Sequence, residues 1–142
     1  MNLTKNFTLE ELTFTTHRQF KNIPNEQEIA NLKRLAILLE AVRTIVNNPI
    51  VINSGFRSKE VNDSVGSKDS SQHRLGCAAD IHVVNMTPYQ VVSAVKNSII
   101  RFDQLILEFN SWTHISVPNT ELMVPRRNVL VIDSSGTYPF KP

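Results

Sequence analysis

The chain has 142 residues, of which 41% are hydrophobic and 20% charged, values ordinary for one soluble globular domain spanning residues 1–142. A chain of this length buries enough surface to fold without disulfide staples, and Cys77, the single cysteine, excludes both an internal disulfide and a four-cysteine zinc site. The net charge of +2, from fifteen basic and thirteen acidic residues with no basic run, argues against nucleic acid as a partner.

No apolar run approaches the ~18 residues of a membrane span. Met1 to Phe7 lacks the apolar core of a secretory signal. The expectation is a monomer made in the cytoplasm without a signal peptide and without a membrane partner.

In chain order, Thr8-Leu9-Glu10-Glu11 matches a capping box and opens a short helix. Asn25 to Glu28 repeats that logic after Pro24. Ile29, Leu32, Leu35, Leu39, Val42 and Val46 then form one apolar stripe, so a long core helix runs to Asn47-Asn48-Pro49. Ile50 to Ser54 reads as a strand ending at Gly55, residues 58–65 as a helical turn, and Gly66 to Gln72 as a polar loop.

After Gly76 the period becomes two: Cys77, Ala79, Ile81 and Val83 face one way, and Ala78, Asp80 and His82 the other. Thr87-Pro88 starts a helix to about Asn97. Leu105, Leu107 and Phe109 alternate with Gln104, Ile106 and Glu108, while Ile115 and Val117 alternate with Trp112, His114 and Ser116. The short link through Asn110 and Ser111 joins these two strands as an antiparallel hairpin. Val129 to Ile132 is a last apolar strand before Ser134-Ser135-Gly136. Helices early and strands late define an α+β fold, with a small central antiparallel sheet and the N-terminal helices packed on one face.

The polar faces of three strands thus carry Asp80, Glu108 and His114. Imidazole and carboxylate are normal zinc ligands, and catalytic zinc sites use three protein ligands. A single carboxylate among them leaves the metal net positive and a good Lewis acid. A second carboxylate outside the ligand set would then serve as general base. Taken singly, a strand histidine or the spacing from His73 to Asp80 is commonplace; together with a later strand histidine they form a coherent set.

Three segments carry a resemblance: Ser54-Gly55-Phe56-Arg57-Ser58, Ser71-Gln72-His73-Arg74-Leu75-Gly76-Cys77-Ala78-Ala79-Asp80, and Trp112-Thr113-His114-Ile115-Ser116. Phe7 to Leu12 and Phe102 to Ile106 with Glu108 add to it. These resemble the ordered motifs of the D-Ala-D-Ala carboxypeptidase-like zinc peptidases, most closely the short phage-type members that include L-alanyl-D-glutamate endopeptidase endolysins. The resemblance runs from Leu3 to Val117 and leaves the tail without a counterpart.

It implies one Zn2+ per chain, held by His73, Asp80 and His114, and a peptide of bacterial peptidoglycan as substrate, reached after release from the cell. It also implies that Arg57 grips a substrate carboxylate or carbonyl, which suits the bidentate guanidinium. Ser71 and Gln72 would line the same pocket, with Trp112 as a wall. Several relatives place the catalytic acid three residues before the last zinc histidine, where this chain has Ser111. Glu108 and Asp103 are the carboxylates that could replace it, and strand alternation favours Glu108.

His82 is a competing ligand, but side chains two apart on a strand face lie ~6.5–7 Å from each other, long for one zinc. Cys77 reads as a small buried hydrophobe and His17 as a solvated residue far from every motif. Loops 59–72 and 118–128 are expected to shape the pocket. A zinc-containing but inactive binding domain of the same fold, and a metal-free structural protein, are the competing readings. D-Ala-D-Ala carboxypeptidase and L-Ala-D-Glu endopeptidase both remain open as the activity.

Overall fold

The computed structural model describes residues 1–141. The first helix, α1 (Leu9–Thr13), starts at Thr8, whose side chain accepts from the Glu11 amide while Glu11 accepts from the Thr8 amide. The long helix α2 (Glu26–Val46) has the same reciprocal cap between Asn25 and Glu28. It stops at Asn47, which turns left-handed at φ 51°. Its buried stripe is Leu32, Leu35, Leu39, Val42 and Val46, as expected, with Ile29 partly covered.

Strand β1 (Ile50–Ser54) follows, then α3 (Lys59–Ser64), a 3₁₀ turn (Gln72–Leu75) and β2 (Ala78–Val83). After α4 (Pro88–Lys96) come β3 (Gln104–Glu108) and β4 (Trp112–Ser116), and the chain ends in β5 (Asn128–Asp133) and β6 (Gly136–Pro139). The strands form one six-stranded sheet in the order β1-β2-β4-β3-β5-β6. Helix α4 packs on β2, β3 and β4, and α2 lies against α4 and β2. Their apolar faces meet Ala79, Ile81, Val83, Leu105, Leu107 and Ile115 in one buried core. The fold is therefore α+β with helices on one sheet face, leaving the other face for polar side chains. No helix among the described residues is long and apolar enough to cross a membrane.

Three details differ from the pattern-based reading. The sheet is mixed, because β5 runs parallel to β3 while the other neighbours are antiparallel. Both edges of β4 are already occupied by β2 and β3, so the only place left beyond the hairpin is the outer edge of β3. Residues 117–127 carry the chain back there, and β5 enters in the direction of β3. The edge strand β6 escapes notice in the sequence because all four of its residues are exposed and no apolar alternation marks it. The β3–β4 turn is made by Phe109 and Asn110, at φ 51° and 49°, with the Ser111 amide donating to the Glu108 carbonyl. Two successive positive φ angles belong to the primed turns that match strand twist.

Gly55 joins this architecture at its tightest point. The Phe56 amide donates to the Leu12 carbonyl at 2.7 Å, bringing the end of α1 onto the end of β1. A Cβ on Gly55 would stand 2.4 Å from the Leu12 oxygen, a contact with rigid backbone that no rotamer relieves. Gly55→Ala should therefore destabilise the protein by about 1–3 kcal/mol, the usual cost of overpacking. Urea unfolding should show the midpoint lowered at unchanged slope.

Candidate metal centre and substrate cleft

The strand register decides which side chains meet. On the face away from the helices, Asp80 of β2 lies directly opposite His114 of β4, and His114 lies opposite Ile106 of β3. Glu108 is one pleat further along, opposite Trp112. His73 arrives from the 3₁₀ turn, its amide donating to the Ser71 hydroxyl that caps the turn. Gly76 then swings the chain into β2 at φ 78°, where a Cβ would meet the Glu28 carbonyl at 2.7 Å. This is why a glycine stands between His73 and Asp80.

His73, Asp80 and His114 are all buried, and one donor atom from each lies within 4.8 Å of the others. Asp80 Oδ1 is 3.0 Å from His114 Nδ1 and 3.4 Å from His73 Nε2. The two imidazoles meet edge to face with centroids 5.2 Å apart.

The protonation pattern tests whether a cation suits this cluster. His73 Nδ1 is 2.7 Å from the Gly55 carbonyl, which can only accept, so Nδ1 carries the hydrogen. Burial holds the His73 imidazole below its ordinary pKa, so the ring is neutral and Nε2 presents a lone pair. That lone pair faces Asp80. Burial pushes the Asp80 carboxyl up, but the hydrogen bond from His114 and the nearness of the His73 imidazole outweigh this and leave it well below the usual carboxylate range. A lone pair and a carboxylate oxygen converging in a buried space are suited to a divalent cation. A carbonyl fixing the far nitrogen of a ligand histidine is the usual support for such a site.

Around the cluster, the Arg57 guanidinium reaches Asp80 Oδ2 at 3.4 Å and donates to Ser54 Oγ at 3.2 Å. Its nearest acidic partner is thus a residue of the metal cluster, and it borders the site from the β1 side. Glu108 Oε1 lies 3.8 Å from His114 Nδ1. Burial, and then the negative charge of Asp80, raise its carboxyl above the ordinary value. Asp103 is elsewhere: just before β3, its buried carboxylate accepts from Arg126 and from Gln72 Nε2.

A cleft of about 740 Å³ opens beside His114. Its floor is the sheet face of Gln104, Ile106, Leu130, Ile132 and Thr137, and its walls come from residues 67–72 and 118–126. The two loops expected to shape the pocket do line it, and β5 and β6 extend its floor. Ser71 and Gln72 lie in the wall: the Ser71 hydroxyl caps the 3₁₀ turn and Gln72 Nε2 donates to Asp103, the Val117 carbonyl and Asn119, while Gln72 Oε1 is buried with no hydrogen-bond partner among the described residues. Trp112 lies outside this lining; it is half-buried beside Phe109, ring centroids 6.4 Å apart.

His82 is exposed and pairs with Asn53 at 2.9 Å, outside the cluster. Cys77 is buried, and burial pushes its thiol up. His17 is only half-exposed and lines a small pocket with Ser54 and Arg57, so its distance from that motif exists in sequence and not in space. Only the fold of the segment after α1 brings it there, and no local pattern announces it.

Two buried histidines and a buried carboxylate, with a further carboxylate beside them, sit on the open face of a sheet next to a peptide-sized cleft. This is the make-up of a metallopeptidase centre. A family model described as Peptidase M15 matches residues 5–116, and the chain belongs to this family of zinc-dependent, D-Ala-D-Ala carboxypeptidase-like peptidases. No curated protein matches the chain.

The Asp103 clamp has a pH signature. Hydrogen bonds from Arg126, and less strongly from Gln72, hold its carboxyl below the ordinary value. A lowered folded pKa contributes stability that is complete above the unfolded value of about 3.9 and disappears as pH falls through the folded value. Asp103→Asn should therefore cost about 1–3 kcal/mol at neutral pH, toward the lower end because Arg126 is solvated. The difference from wild type should shrink below about pH 4. Unfolding free energies measured from pH 7 to pH 2 check this.

Proposed function

We propose that the protein hydrolyses a peptide bond in bacterial peptidoglycan stem peptides, in the manner of an endolysin that reaches the wall after release. His73, Asp80 and His114 would hold zinc and Glu108 would be the general base. The observation that carries the reading is the convergence of His73 Nε2 and His114 Nδ1 on one oxygen of Asp80, with Glu108 at 3.8 Å from the second histidine.

Zinc bound there would supply Lewis acidity toward the scissile carbonyl and toward water. The chain's own residues do the rest. Gly55 holds His73 in the tautomer whose Nε2 is a donor to metal. Arg57, half-buried against Asp80 and Ser54, presents a cation at one side of the site, where it steadies the carbonyl or carboxylate of the bound peptide. Glu108 Oε1 takes a proton from the attacking water and returns it to the leaving amine. A carboxyl raised by burial is the better proton acceptor for this step, since base strength rises with pKa.

Ser111, where related enzymes place an acid, favours the inactive binding domain as a second reading. In this chain Ser111 belongs to the hairpin turn, its hydroxyl donating to the Phe109 carbonyl. Glu108 stands one pleat from His114 on the neighbouring strand and fills the chemical role from there.

Elemental analysis of the purified protein should show one zinc per chain, lost in His73→Ala and His114→Ala. Full occupancy in either variant rules out the ligand set. Glu108→Gln should keep zinc while lowering turnover of stem peptides about 10²–10⁴-fold, because the amide fills the same volume and cannot accept a proton. Mass analysis of products from digested peptidoglycan identifies the bond, and intact peptidoglycan after exhaustive digestion would support the binding domain instead.

A further inference from the structure

The C-terminal segment beyond Val117, which lies outside the family match, contributes much of the cleft: Pro118, Asn119, Met123, Val124, Arg126 and Leu130 all line it. Within this segment one side chain is held in an unusual way. Arg126 lies at the end of the loop, and Asp103 grips it three times. The Arg126 amide and Nε donate to Asp103 Oδ1 at 3.2 and 3.0 Å, and Nη2 donates to Oδ2 at 2.7 Å. Asp103 is itself fixed, its side chain 5% exposed, and Gln72 Nε2 donates to the same Oδ2.

This grip does not hide the guanidinium, whose side chain is 58% exposed. Nη1 has no hydrogen-bond partner among the described residues. The result is a planar cation oriented before any ligand arrives, with a donor edge free and in the same cleft as His114. Pre-orientation matters because an arginine ordinarily surrenders rotamer freedom on binding, and here Asp103 has already removed it. Among the described residues, the cleft's acidic lining is Asp103 alone, which Arg126 neutralises, while Lys68 lines the cleft with no ion-pair partner. The cleft therefore carries an excess of positive charge.

We propose that Arg126 is a specificity-determining residue that reads a free carboxylate of the peptide, away from the bond being cut, and that Asp103 is its positioning residue. This rests on the peptidase reading above for the identity of the substrate, but not for the binding itself. Peptides whose corresponding carboxylate is amidated are then poorer ligands and poorer substrates.

The probes are soluble stem peptides released from peptidoglycan, with each carboxylate left free or amidated in turn. Calorimetric binding and steady-state kinetics are measured on the zinc-loaded wild type, Arg126→Ala and Arg126→Lys. In the wild type one amidation should weaken binding about 10–100-fold, as expected for a lost charge-assisted hydrogen bond. The effect should enter KM and leave kcat nearly unchanged. Arg126→Ala should bind free and amidated forms alike, and Arg126→Lys should restore part of the preference. Should Arg126→Ala fold poorly for want of a partner to Asp103, the double variant Asp103→Asn/Arg126→Gln keeps a neutral pair and should show the same loss of preference. The inference is overturned if no single amidation alters wild-type binding, or if the preference survives in the folded variants. Selective binding without any hydrolysis would instead leave this inference standing and defeat the peptidase reading.

Discussion

The hydrogen bond between His73 Nδ1 and the Gly55 carbonyl is the contact on which the rest of the site depends. It spans 18 positions of sequence and joins the end of β1 to the 3₁₀ turn. The bond uses the Gly55 carbonyl, and the absence of a side chain on Gly55 lets the Leu12 backbone press against it from α1. One glycine therefore fixes the entry of α1, the end of β1 and the tautomer of a buried histidine. The neighbouring residues follow from this. Arg57 donates through its amide to the His73 carbonyl, and its side chain turns to Asp80. The Ser-Gly-Phe-Arg-Ser segment is less a string of ligand contacts than a backbone bracket for the cluster of His73, Asp80 and His114.

Much of this was legible in the residues themselves. Capping at Thr8, Asn25 and Thr87 located three helices, because reciprocal side-chain hydrogen bonds are local and leave a local spacing. Alternation in β2, β3 and β4 placed Asp80, Glu108 and His114 on one face, since a half-buried strand imposes period two. The features that stayed hidden are those set at long range or without burial. The exposed β6 has no apolar pattern to display, and β5 runs parallel to β3 because residues 117–127 leave and re-enter the sheet at the same end. The Asp103–Arg126 pair joins residues 23 apart, and nothing local to either predicts the other. Phe109 in a left-handed turn is equally unforeseeable, for an aromatic residue carries no preference for positive φ.

The division of labour along the chain follows the same logic. Residues up to Ser116 supply the cluster of His73, Asp80 and His114, together with Arg57 and Glu108. Residues from Val117 onward add none of these, but they supply half of the cleft's wall and most of its floor. The ion pair of Asp103 with Arg126, and the donation of Arg127 to the Ile100 and Ser98 carbonyls, fasten this later segment to the stretch that leads into β3. The cluster and the later part of the cleft are thus built from consecutive parts of the chain and meet along β3.

The pairing of Asp80 directly across from His114 has a consequence for how the chain finds its fold. A strand slipped by one residue against its neighbour turns every side chain to the opposite face. In the β2–β4 ladder such a slip would drive an imidazole into the apolar core and turn Ile115 out to solvent. It would also pull the histidine away from Asp80, so a misaligned ladder would lose its affinity for a cation. A metal that binds only the correctly aligned ladder stabilises that alignment over its neighbours by mass action. An ion bound there would then act, during folding, as a proofreader of strand register.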